Sequence, residues 1–428
     1  MNILFIGHDL TYVQFYKALE NALRQHTTVT AKHVYFRPSA FLYAKYGLRL
    51  RALSPCLIRL AGRWPAVDQD QNAGPDLRFY QPDATTEMSA RFTSLYAAYL
   101  EFFRRRTNAG PFEVAILPGE FRLFEQAAIR VLKAAPRPPI LVYFEAGPPG
   151  YIYFDLSGVN ANASFAKTGR SQMLADTGIP YAAAALCGEA KVPKALRIGL
   201  LAFDVAWLWL AKISRGLLDL EEYWVAMGNR LRRQCPSVGH KVAEQAIPEP
   251  SSRFVVFLGQ VRNDINHTHF GLTESELERC LTGLLASDPT LHLSWRDHPL
   301  EDSEELFHRI CMAFPGRVAR AAKGPLQHAL GSSEGVITVN SNGGLEALVA
   351  GLPVRLLGRS YFAGLAGVCT DDESFRALRQ RVRECGPDPG IRADAERFLQ
   401  TCFLPINYRG EEFCNAAMAA QVIMRVAS

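Results

Sequence analysis

The stretch that decides the fold runs from Val336 to Leu357 and reads VITVNSNGGLEALVAGLPVRLL. The apolar run VITV predicts a buried strand, and the NSNGG that follows predicts a turn. A helix should begin near Ser341 or Asn342, because either residue is a good N-cap, and end before Gly351 and Pro353. A second apolar strand follows. Strand, helix and strand in this order are typical of a parallel sheet covered by helices.

The same alternation occurs on both sides of a Pro- and Ser-rich linker, AIPEPSS, at residues 246–252. Before the linker, we predict strands at 2–7, 29–36, 112–117 and 139–144, and helices at 11–24, 88–105 and 121–133. After the linker, we predict strands at 254–258, 291–295, 335–339 and 354–357, and helices at 273–286, 302–314 and 344–350. The chain is therefore an α/β protein with two Rossmann-like halves, whose ligands should bind at the carboxyl ends of the strands.

These patterns give four predicted segments. Residues 1–176 form an N-terminal Rossmann-like domain, and residues 177–247 form a helical insertion. Residues 252–390 form a C-terminal Rossmann-like domain, and residues 391–428 form a helical tail that could cross back. This organisation predicts a two-domain enzyme with a cleft between its sheets.

Composition excludes several classes of protein. Of 428 residues, 48% are hydrophobic and 21% charged, which is typical of a folded globular chain. Lys+Arg 47 against Asp+Glu 42 gives a net charge of only +5, too little to predict a nucleic-acid partner. The nine cysteines are scattered without a CxxC pair, which argues against structural zinc and disulfides and for a cytosolic protein. The amino terminus MNILFIGHDL lacks the pattern of a secretory signal, so we expect no secretion.

The most apolar stretch lies at residues 195–211 and reads ALRIGLLAFDVAWLWLA. It is shorter than the ~20 residues of a membrane span and carries Arg197 and Asp204. One interpretation is a buried core helix. The other is a helix lying in a membrane interface, anchored by Trp207 and Trp209. In that case the basic flanks are the arginines at 104–106, 230, 232 and 233.

In the second half, polar residues follow three predicted strands. The turn after the strand at 335–339 offers Ser341, helix-start amides and glycines, which together can cradle a phosphate, although a capped turn without a ligand fits the pattern equally well. His298 follows another strand, and Pro299 fixes the turn so that the imidazole projects at the sheet edge. A surface turn histidine is the plain alternative. The loop after the strand at 254–258 contains Gln260, Arg262, Asn263, Asp264, Asn266, His267 and His269. A metal site there lacks a third ligand at metal spacing.

In the first half, the strand PILVYF runs into Glu145 and a rigid Pro/Gly turn, EAGPPG. A carboxylate held in this way suits acid–base chemistry. The loop beyond it, GVNANAS, supplies Asn160, Asn162 and Ser164, unless it is only a capped loop.

Taken in order, these segments resemble a known family. They are the E-x-G near Glu145, the loop with G-V-N-A-N, Gln260-x-x-x-Asp264, H-P-L at 298–300, and VITVNS-x-x-GLEAL-x-x-G-x-PV. The sequence resembles the bacterial capsule polysaccharide Kdo transferases, especially those that build a β-Kdo linker on a phosphatidylglycerol anchor for capsule export. The resemblance covers roughly residues 112–165 and 254–362, and the last motif is the most specific.

The resemblance implies a GT-B-like glycosyltransferase that uses CMP-Kdo and forms a β-linked product with retention. In such an enzyme residues 1–176 would form the acceptor side and residues 252–390 the nucleotide-sugar domain. The catalytic residues it implies include Asp264, which would attack the anomeric carbon, and Glu145, which would activate the acceptor or supply a second carboxylate. His298 and Ser341 would hold the CMP phosphate. The remaining implied roles are nucleotide binding by Pro299, Asn342, Gly343, Gly344 and Glu346, the last at the ribose, and support by Gln260, Asn340, Asn160 and Asn162.

No DxD-like metal site stands out and CMP carries a single phosphate, so we predict a metal-independent reaction without a cofactor. The expected partners are a CMP-sugar donor, a lipid-linked acceptor, the cytoplasmic membrane face and other capsule assembly proteins. The protein should be cytoplasmic and peripheral at the inner membrane. Two alternatives stay open: a GT-B transferase that uses a UDP- or GDP-sugar, and a non-catalytic capsule assembly protein. A dinucleotide oxidoreductase is disfavoured because no G-x-G-x-x-G follows the first strand.

Overall fold

A computed structural model describes most of the chain in two compact units. The described residues are 1–54, 74–83, 86–107, 111–169, 194–213, 254–261, 264–298, 303–321, 324–405 and 416–427. Unit 1 comprises residues 1–159, 171–225 and 402–428, and unit 2 comprises residues 160–170 and 226–401.

Unit 1 is built on a six-stranded sheet with the order β3-β2-β1-β4-β5-β6. Its strands are β1 (Asn2–Gly7), β2 (Thr30–Tyr35), β3 (Ala52–Leu53), β4 (Val114–Leu117), β5 (Ile140–Ala146) and β6 (Ile152–Asp155). Its helices are α1 (Leu10–Arg24), α2 (Pro38–Leu42), α3 (Thr86–Thr107), α4 (Leu123–Lys133), α6 (Lys194–Ile213) and α14 (Ala416–Ala427), with a π-helical turn at Tyr43–Gly47 and a 3-10 turn at Arg78–Asp83. All strand pairs are parallel except β5 with β6.

The core of unit 1 lies between the sheet and its helices. The strand β1 is buried from Ile3 onward because helices cover both of its faces. Phe15 and Leu19 of α1 and Val422 and Ile423 of α14 are fully buried and belong to one hydrophobic cluster with the strands. The carboxyl-terminal helix is therefore part of the core of unit 1.

Unit 2 has an all-parallel sheet with the order β12-β11-β10-β7-β8-β9. Its strands are β7 (Phe254–Leu258), β8 (Leu293–Arg296), β9 (Val318–Arg320), β10 (Ser333–Thr338), β11 (Val354–Leu356) and β12 (Val368–Cys369). Its helices are α5 (Phe165–Thr168), α7 (Ile265–Phe270), α8 (Glu274–Ser287), α9 (Glu304–Ala313), α10 (Leu326–Gly331), α11 (Asn342–Val349), α12 (Asp372–Cys385) and α13 (Pro389–Cys402), with a 3-10 turn at Asn160–Asn162. Numbered within its own unit, each sheet has the Rossmann order 3-2-1-4-5-6.

Unit 2 buries a network of charged residues as well as apolar residues. Glu334 is fully buried and pairs with Arg379 at 2.8 Å and with Arg383 at 2.7 Å, while Arg379 also pairs with Asp288 at 2.8 Å. Each buried charge thus faces an opposite charge, as burial requires. The network ties α12 to β10.

Two Rossmann-like units in one chain, together with the helical tail, confirm the predicted α/β, GT-B-like fold class. The strands at 2–7 and 254–258 appear with the predicted bounds, and the other predicted strands and helices shift by at most two residues at their ends. The structure differs at the edges. The strands β3, β6, β9 and β12 were not predicted; each has two to four residues and lies at the edge of its sheet. The sheet of unit 1 is parallel except at β6, which pairs antiparallel with β5 across a short turn.

The predicted helical insertion at 177–247 is described only at 194–213, where α6 forms. Its remaining residues, with Arg230, Arg232 and Arg233, lie outside the described residues. The same holds for the linker at 246–252.

Candidate functional site

The candidate site of unit 2 lies at the carboxyl ends of β7 and β10, which are neighbours at the centre of the sheet. The chain leaves β7 toward β8 on one side, and β10 toward β11 on the other. The two loops therefore diverge and leave a crevice between them, which is where open α/β sheets bind their ligands. Most of the predicted donor-side residues follow one of these strands or the neighbouring β8.

Gln260 and Asn340 join the two diverging loops. The side-chain amide of Gln260 donates to Oδ1 of Asn340, and the backbone N–H of Asn340 donates to Oε1 of Gln260 at 3.3 Å. The Nδ2 amide of Asn340 donates to the carbonyls of Asn266 at 2.9 Å and Arg359 at 3.2 Å. Asn340 is buried, so this neutral network fixes three loops around the crevice.

Ser341 caps the helix that begins at the crevice. Its Oγ accepts a hydrogen bond from the N–H of Gly343 at 3.3 Å, and its own N–H donates to Oγ1 of Thr338 at 3.1 Å. The backbone of Ser341 is extended, with φ −64° and ψ 144°, as an N-cap requires. The positive end of the α11 dipole therefore faces the crevice.

Gly343 and Gly344 allow α11 to lie close to the sheet. A Cβ on Gly343 would come within 2.8 Å of Cδ1 of Leu258, and one on Gly344 within 2.9 Å of Cζ of Phe362. The N–H of Gly344 donates to the carbonyl of Ser341 at 2.9 Å. Close packing against neighbouring side chains therefore explains why glycine occupies these two positions, which the sequence alone did not show. Their role toward a phosphate stays a prediction.

Asn342 and Glu346 lie on the first two turns of α11. The side-chain Oδ1 of Asn342 accepts a hydrogen bond from the hydroxyl of Tyr361 at 2.7 Å. The Oε2 of Glu346 accepts one from Nε2 of Gln327 at 2.9 Å. Burial raises the pKa of the Glu346 carboxyl, and the positive charge of Arg296 partly opposes that shift. Glu346 is thus a half-buried carboxylate with an amide donor beside it.

His298 follows β8 and is half-buried. Its backbone N–H lies 3.4 Å from the position that a Cβ on Gly259 would occupy, so the ends of β7 and β8 are in close contact. The preceding Asp297 anchors the turn, because its Oδ1 accepts a hydrogen bond from Nε1 of Trp295 at 2.9 Å and its carboxylate pairs with Arg320. The structure therefore brings His298 to the same sheet edge as Gln260, while Pro299 lies outside the described residues.

Asp264 caps the short helix α7 after the β7 loop. Its Oδ1 accepts a hydrogen bond from the N–H of Ile265 at 2.8 Å, and the side chain is exposed. Arg262 and Asn263, from the same predicted loop, lie outside the described residues. Within the described part of the chain, no group of three or more His, Cys, Asp or Glu side chains could hold a metal ion. Metal independence stays a prediction.

Two arginines at this edge were missed as site residues. Arg296 is the last residue of β8, and its charge acts on Glu346. Arg359 follows β11; it is exposed, and its guanidinium lies 5.3 Å from the centre of the Phe270 ring. The sequence showed a cation at or soon after each strand end, but nothing local distinguished these two arginines from other surface arginines.

The remaining predicted residues follow the first sheet. Glu145 lies near the end of β5 in unit 1, half-buried and opposite Tyr153 of β6. Asn160 is buried and has a φ of 56°, which Asn tolerates better than most residues, and Asn162 is exposed. Asn160 and Asn162 belong to the 3-10 turn of unit 2.

The apolar stretch at 195–211 lies in α6. There a charged residue is buried, while several apolar residues are exposed. Asp204 is buried and accepts hydrogen bonds from the N–H and the hydroxyl of Ser39, at 3.0 and 2.6 Å. Leu196, Ile198 and Leu201 are instead 43%, 67% and 49% exposed. The prediction of a helix is confirmed, and these exposures argue against a fully buried core helix. Within the described residues, no helix combines the length and apolar character that a bilayer crossing needs.

Two Rossmann-like sheets and a polar crevice at the switch point of the second define an α/β protein of the GT-B-like class. Residues 211–396, which contain that crevice, match the model of the family described as capsule polysaccharide biosynthesis protein. The family resemblance seen in the sequence is confirmed for this segment, which is less than half of the chain. No curated protein sequence matches the chain significantly.

Several solved structures are similar over nearly the whole chain. KpsC of Thermosulfurimonas dismutans, a beta Kdo 2,7 transferase, is 11% identical with a TM-score of 0.43, and 100% of each chain is covered. UDP-GlcNAc 2-epimerase from Neisseria meningitidis, bound to UDP-GlcNAc, is 11% identical with a TM-score of 0.34, covering 99% of this chain and 100% of that one. The glycosyltransferase SnogD from Streptomyces nogalater is 14% identical with a TM-score of 0.31 and full coverage of both chains.

Proposed function

We propose that this protein is a glycosyltransferase of capsule polysaccharide biosynthesis that moves Kdo from CMP-Kdo to a lipid or lipid-linked sugar, with retention and a β-linked product. One observation carries the proposal. The segment that matches the capsule family contains a crevice at which a capped helix start, a histidine and two arginines follow neighbouring strands. Such a site suits a phosphate that leaves with negative charge.

The donor's single phosphate would bind at the start of α11. Ser341 and the helix dipole favour an anion there, and His298 can donate a hydrogen bond to the departing phosphate or protonate it. Arg296 and Arg359 add positive charge at the same sheet edge. Glu346 would accept a hydrogen bond from a ribose hydroxyl, with Gln327 holding its carboxylate. Protein cations and dipoles thus take the place of a metal in this proposal.

Asp264 would supply the carboxylate that acts on the anomeric carbon. Retention follows when a carboxylate first displaces CMP and an acceptor hydroxyl then displaces the carboxylate, because two inversions restore the configuration. The exposed side chain of Asp264, fixed at the start of α7, suits this role. Glu145 stays a candidate for acceptor activation.

The lipid-linked acceptor implies contact with a membrane surface. The exposed leucines and isoleucine of α6 would insert at the interface, and the exposed Arg104, Arg105 and Arg106 of α3 would face anionic headgroups. Replacing Leu196, Ile198 and Leu201 together with Gln should abolish most sedimentation with phosphatidylglycerol vesicles. Met312, which is 69% exposed on unit 2, provides the matched control, Met312→Gln. Equal binding by both variants would contradict the interfacial role.

Nucleotide selectivity tests the donor. Thermal unfolding is measured with CMP, UDP, GDP and NAD, each at ~100 times its dissociation constant, where binding adds ~2.7 kcal/mol. We expect stabilisation by CMP alone, unchanged by EDTA. Incubation with CMP-Kdo and phosphatidylglycerol, followed by NMR of the product, should then show a β-linked Kdo. Stabilisation by UDP or GDP would leave the fold and overturn the Kdo assignment, and no stabilisation by any nucleotide would favour an assembly protein.

A further inference from the structure

A second chemical feature lies at the switch point of unit 1. There β1 and β4 are the neighbouring central strands, and the loops after them diverge as those of β7 and β10 do in unit 2. His8 directly follows β1. Its Nε2 lies 2.6 Å from Oε1 of Glu125, which is on the first turn of α4, the helix after β4. A histidine and a carboxylate thus bridge the crevice.

The carboxylate of Glu125 is held in a fixed position. Its Oε2 accepts hydrogen bonds from the N–H groups of Phe121 and Arg122, at 3.0 and 3.1 Å. Gly119 makes room for it, because a Cβ there would come within 3.1 Å of Oε2. Burial alone would raise the pKa of Glu125, but the charge and the hydrogen bond of His8 and the N-terminal amides outweigh that effect and lower it. Glu125 is therefore ionised at neutral pH.

An ionised carboxylate fixes the tautomer of His8. In the neutral form of the ring, Nε2–H donates to Glu125 and Nδ1 carries a lone pair. Three aromatic rings hold the imidazole edge-on, those of Tyr12, Phe36 and Phe124, with centroids about 6 Å away. Among the described residues, none forms a hydrogen bond with Nδ1. Nδ1 is nevertheless not among their buried unpaired atoms, and the His8 side chain is 10% exposed. An oriented base thus reaches the surface at the strand end.

Another pair in the same unit shows how a structural histidine differs. His33 Nε2 lies 2.9 Å from Oε2 of Glu20, and its Nδ1 lies 3.1 Å from the hydroxyl of Tyr35. The ring is fully buried in the middle of the sheet core. Both nitrogens of His33 are engaged, so that pair can only hold structure together. His8 uses one nitrogen for its carboxylate and keeps the other available.

We propose that the crevice of unit 1 binds the hydroxyl-bearing acceptor and that Nδ1 of His8 takes the proton of the attacking hydroxyl. This inference rests on the proposed glycosyl transfer. The acceptor O–H bond breaks and its proton passes to Nδ1, the oxygen forms a bond to the anomeric carbon, and the bond from that carbon to its leaving group breaks, with the electron pair going to the leaving group. His8 is then a catalytic residue, and Glu125 is a positioning residue that acts through it.

The same sheet edge offers further contacts to a sugar. Glu145 is the second-last residue of β5, two strands from β1, and adjacent strands are about 4.8 Å apart, so its backbone lies about 10 Å from that of His8. That separation suits a monosaccharide lying across the edge. Glu145 would then bind acceptor hydroxyls, while His8 takes over the activation that the sequence assigned to Glu145.

Partition between transfer and hydrolysis tests the proposal. His8→Gln and Glu125→Gln are compared with wild type for transfer from CMP-Kdo to phosphatidylglycerol in detergent micelles, and for release of free Kdo to water. We expect kcat for transfer to fall about 10²–10³-fold in both variants, with hydrolysis and CMP affinity changed less than threefold. In Glu125→Gln the amide oxygen can still accept from the N–H groups of Phe121 and Arg122, but the side chain no longer fixes the tautomer of His8.

His33→Gln is the matched control, since it disrupts the structural pair and should leave the ratio of transfer to hydrolysis unchanged. Equal losses of transfer and hydrolysis in His8→Gln, or no loss, would overturn the proposal. Diethyl pyrocarbonate with peptide mass mapping gives a reading that needs no acceptor: His8 should be modified at least tenfold faster than His33, and equal rates would overturn the proposal. If wild type neither binds CMP nor hydrolyses CMP-Kdo, the proposed function fails, while the modification pattern still decides whether Nδ1 is available.

Discussion

In unit 1 the first strand is followed by His8, whereas in unit 2 the first strand is followed, one residue on, by Gln260. Each side chain contacts a residue that comes after the fourth strand of its unit in chain order. His8 contacts Glu125, and Gln260 contacts Asn340. The strand order is the same, so the backbone fixes where the two side chains meet. The chemistry differs because one pair is ionisable and the other is neutral.

That difference separates two tasks. A neutral amide pair fixes the loops of unit 2 without adding charge, so that cations and the α11 dipole can dominate the field on a phosphate. A histidine on a carboxylate gives unit 1 a proton acceptor instead. On the proposed function, one fold would therefore supply an anion site in unit 2 and a base in unit 1, each after the first strand of its sheet. The predictions below test this division, beginning with the largest effect.

The largest effect is expected from Asp264→Asn. We expect kcat for Kdo transfer to fall about 10³-fold, which is ~4 kcal/mol of barrier, because the amide cannot attack or stabilise the anomeric carbon. Asn is as good an N-cap as Asp, so α7 and the melting temperature should be unchanged. CMP affinity, measured by calorimetry, should also be unchanged. Wild-type turnover in this variant would place the carboxylate elsewhere, with Glu145 as the next candidate.

The second prediction concerns the neutral pair. Asn340→Ala removes a buried amide and leaves the carbonyls of Asn266 and Arg359 without it, so we expect a loss of about 2–3 kcal/mol in the free energy of unfolding. A double-mutant cycle with Gln260→Ala, followed by urea unfolding, should give a coupling energy above about 0.5 kcal/mol. Strictly additive losses would show that the two amides do not act as a unit.

How far the sequence predicted this molecule depends on the range of the interactions involved. The strand at 254–258 was predicted with its observed bounds, and Ser341 was one of two predicted N-caps beside Asn342, because apolar runs and capping residues act over a few residues. The strands β3 and β12 have two residues each and exist only through pairing with a neighbour. Nothing in such a short segment distinguishes it from a loop.

The same distinction holds for the sites. Gln260 and Asn340 were both named, since each follows a strand, but their mutual hydrogen bonds join residues 80 positions apart. His8 and Glu125 are 117 positions apart, and the sequence offered only a histidine after a strand. Contacts of this kind depend on the strand order, which periodicity alone does not determine. Local signals thus predict where a site can lie, and long-range contacts decide what it can do.

The third prediction concerns pH and unit 1. Burial lowers the pKa of His33 below its ordinary value, and the pKa of Glu20 is also lowered, since its bonds to His33 and Arg24 outweigh burial. The unfolded chain therefore binds more protons at both groups as the pH falls. Below about pH 6.5, stability should fall with a slope approaching ~1.4 kcal/mol per pH unit for the His33 proton, and the Glu20 contribution is lost at lower pH.

Urea unfolding at pH 7.5, 6.5 and 5.5 measures that slope. His33→Gln should be less stable than wild type at pH 7.5, because it disturbs a buried hydrogen-bond pair, and its stability should depend less on pH over this range. The amide pair of unit 2 does not titrate, so Asn340→Ala should keep the wild-type slope. Equal slopes in wild type and His33→Gln would mean that His33 does not carry the acid sensitivity.

The smallest stability effect is expected at Ser341, where two roles can be separated. Ser341→Ala removes the cap of α11 and should cost about 1 kcal/mol, whereas Ser341→Gly should cost only a few tenths of a kcal/mol, because Gly is itself a tolerated N-cap. Both variants lose the hydroxyl. If Ser341 binds the CMP phosphate directly, both should weaken CMP binding by about tenfold, the worth of one hydrogen bond to a charged group. If CMP affinity falls in the Ala variant alone, the serine acts only through the helix it caps, and the anion site of unit 2 consists of the dipole and its cations.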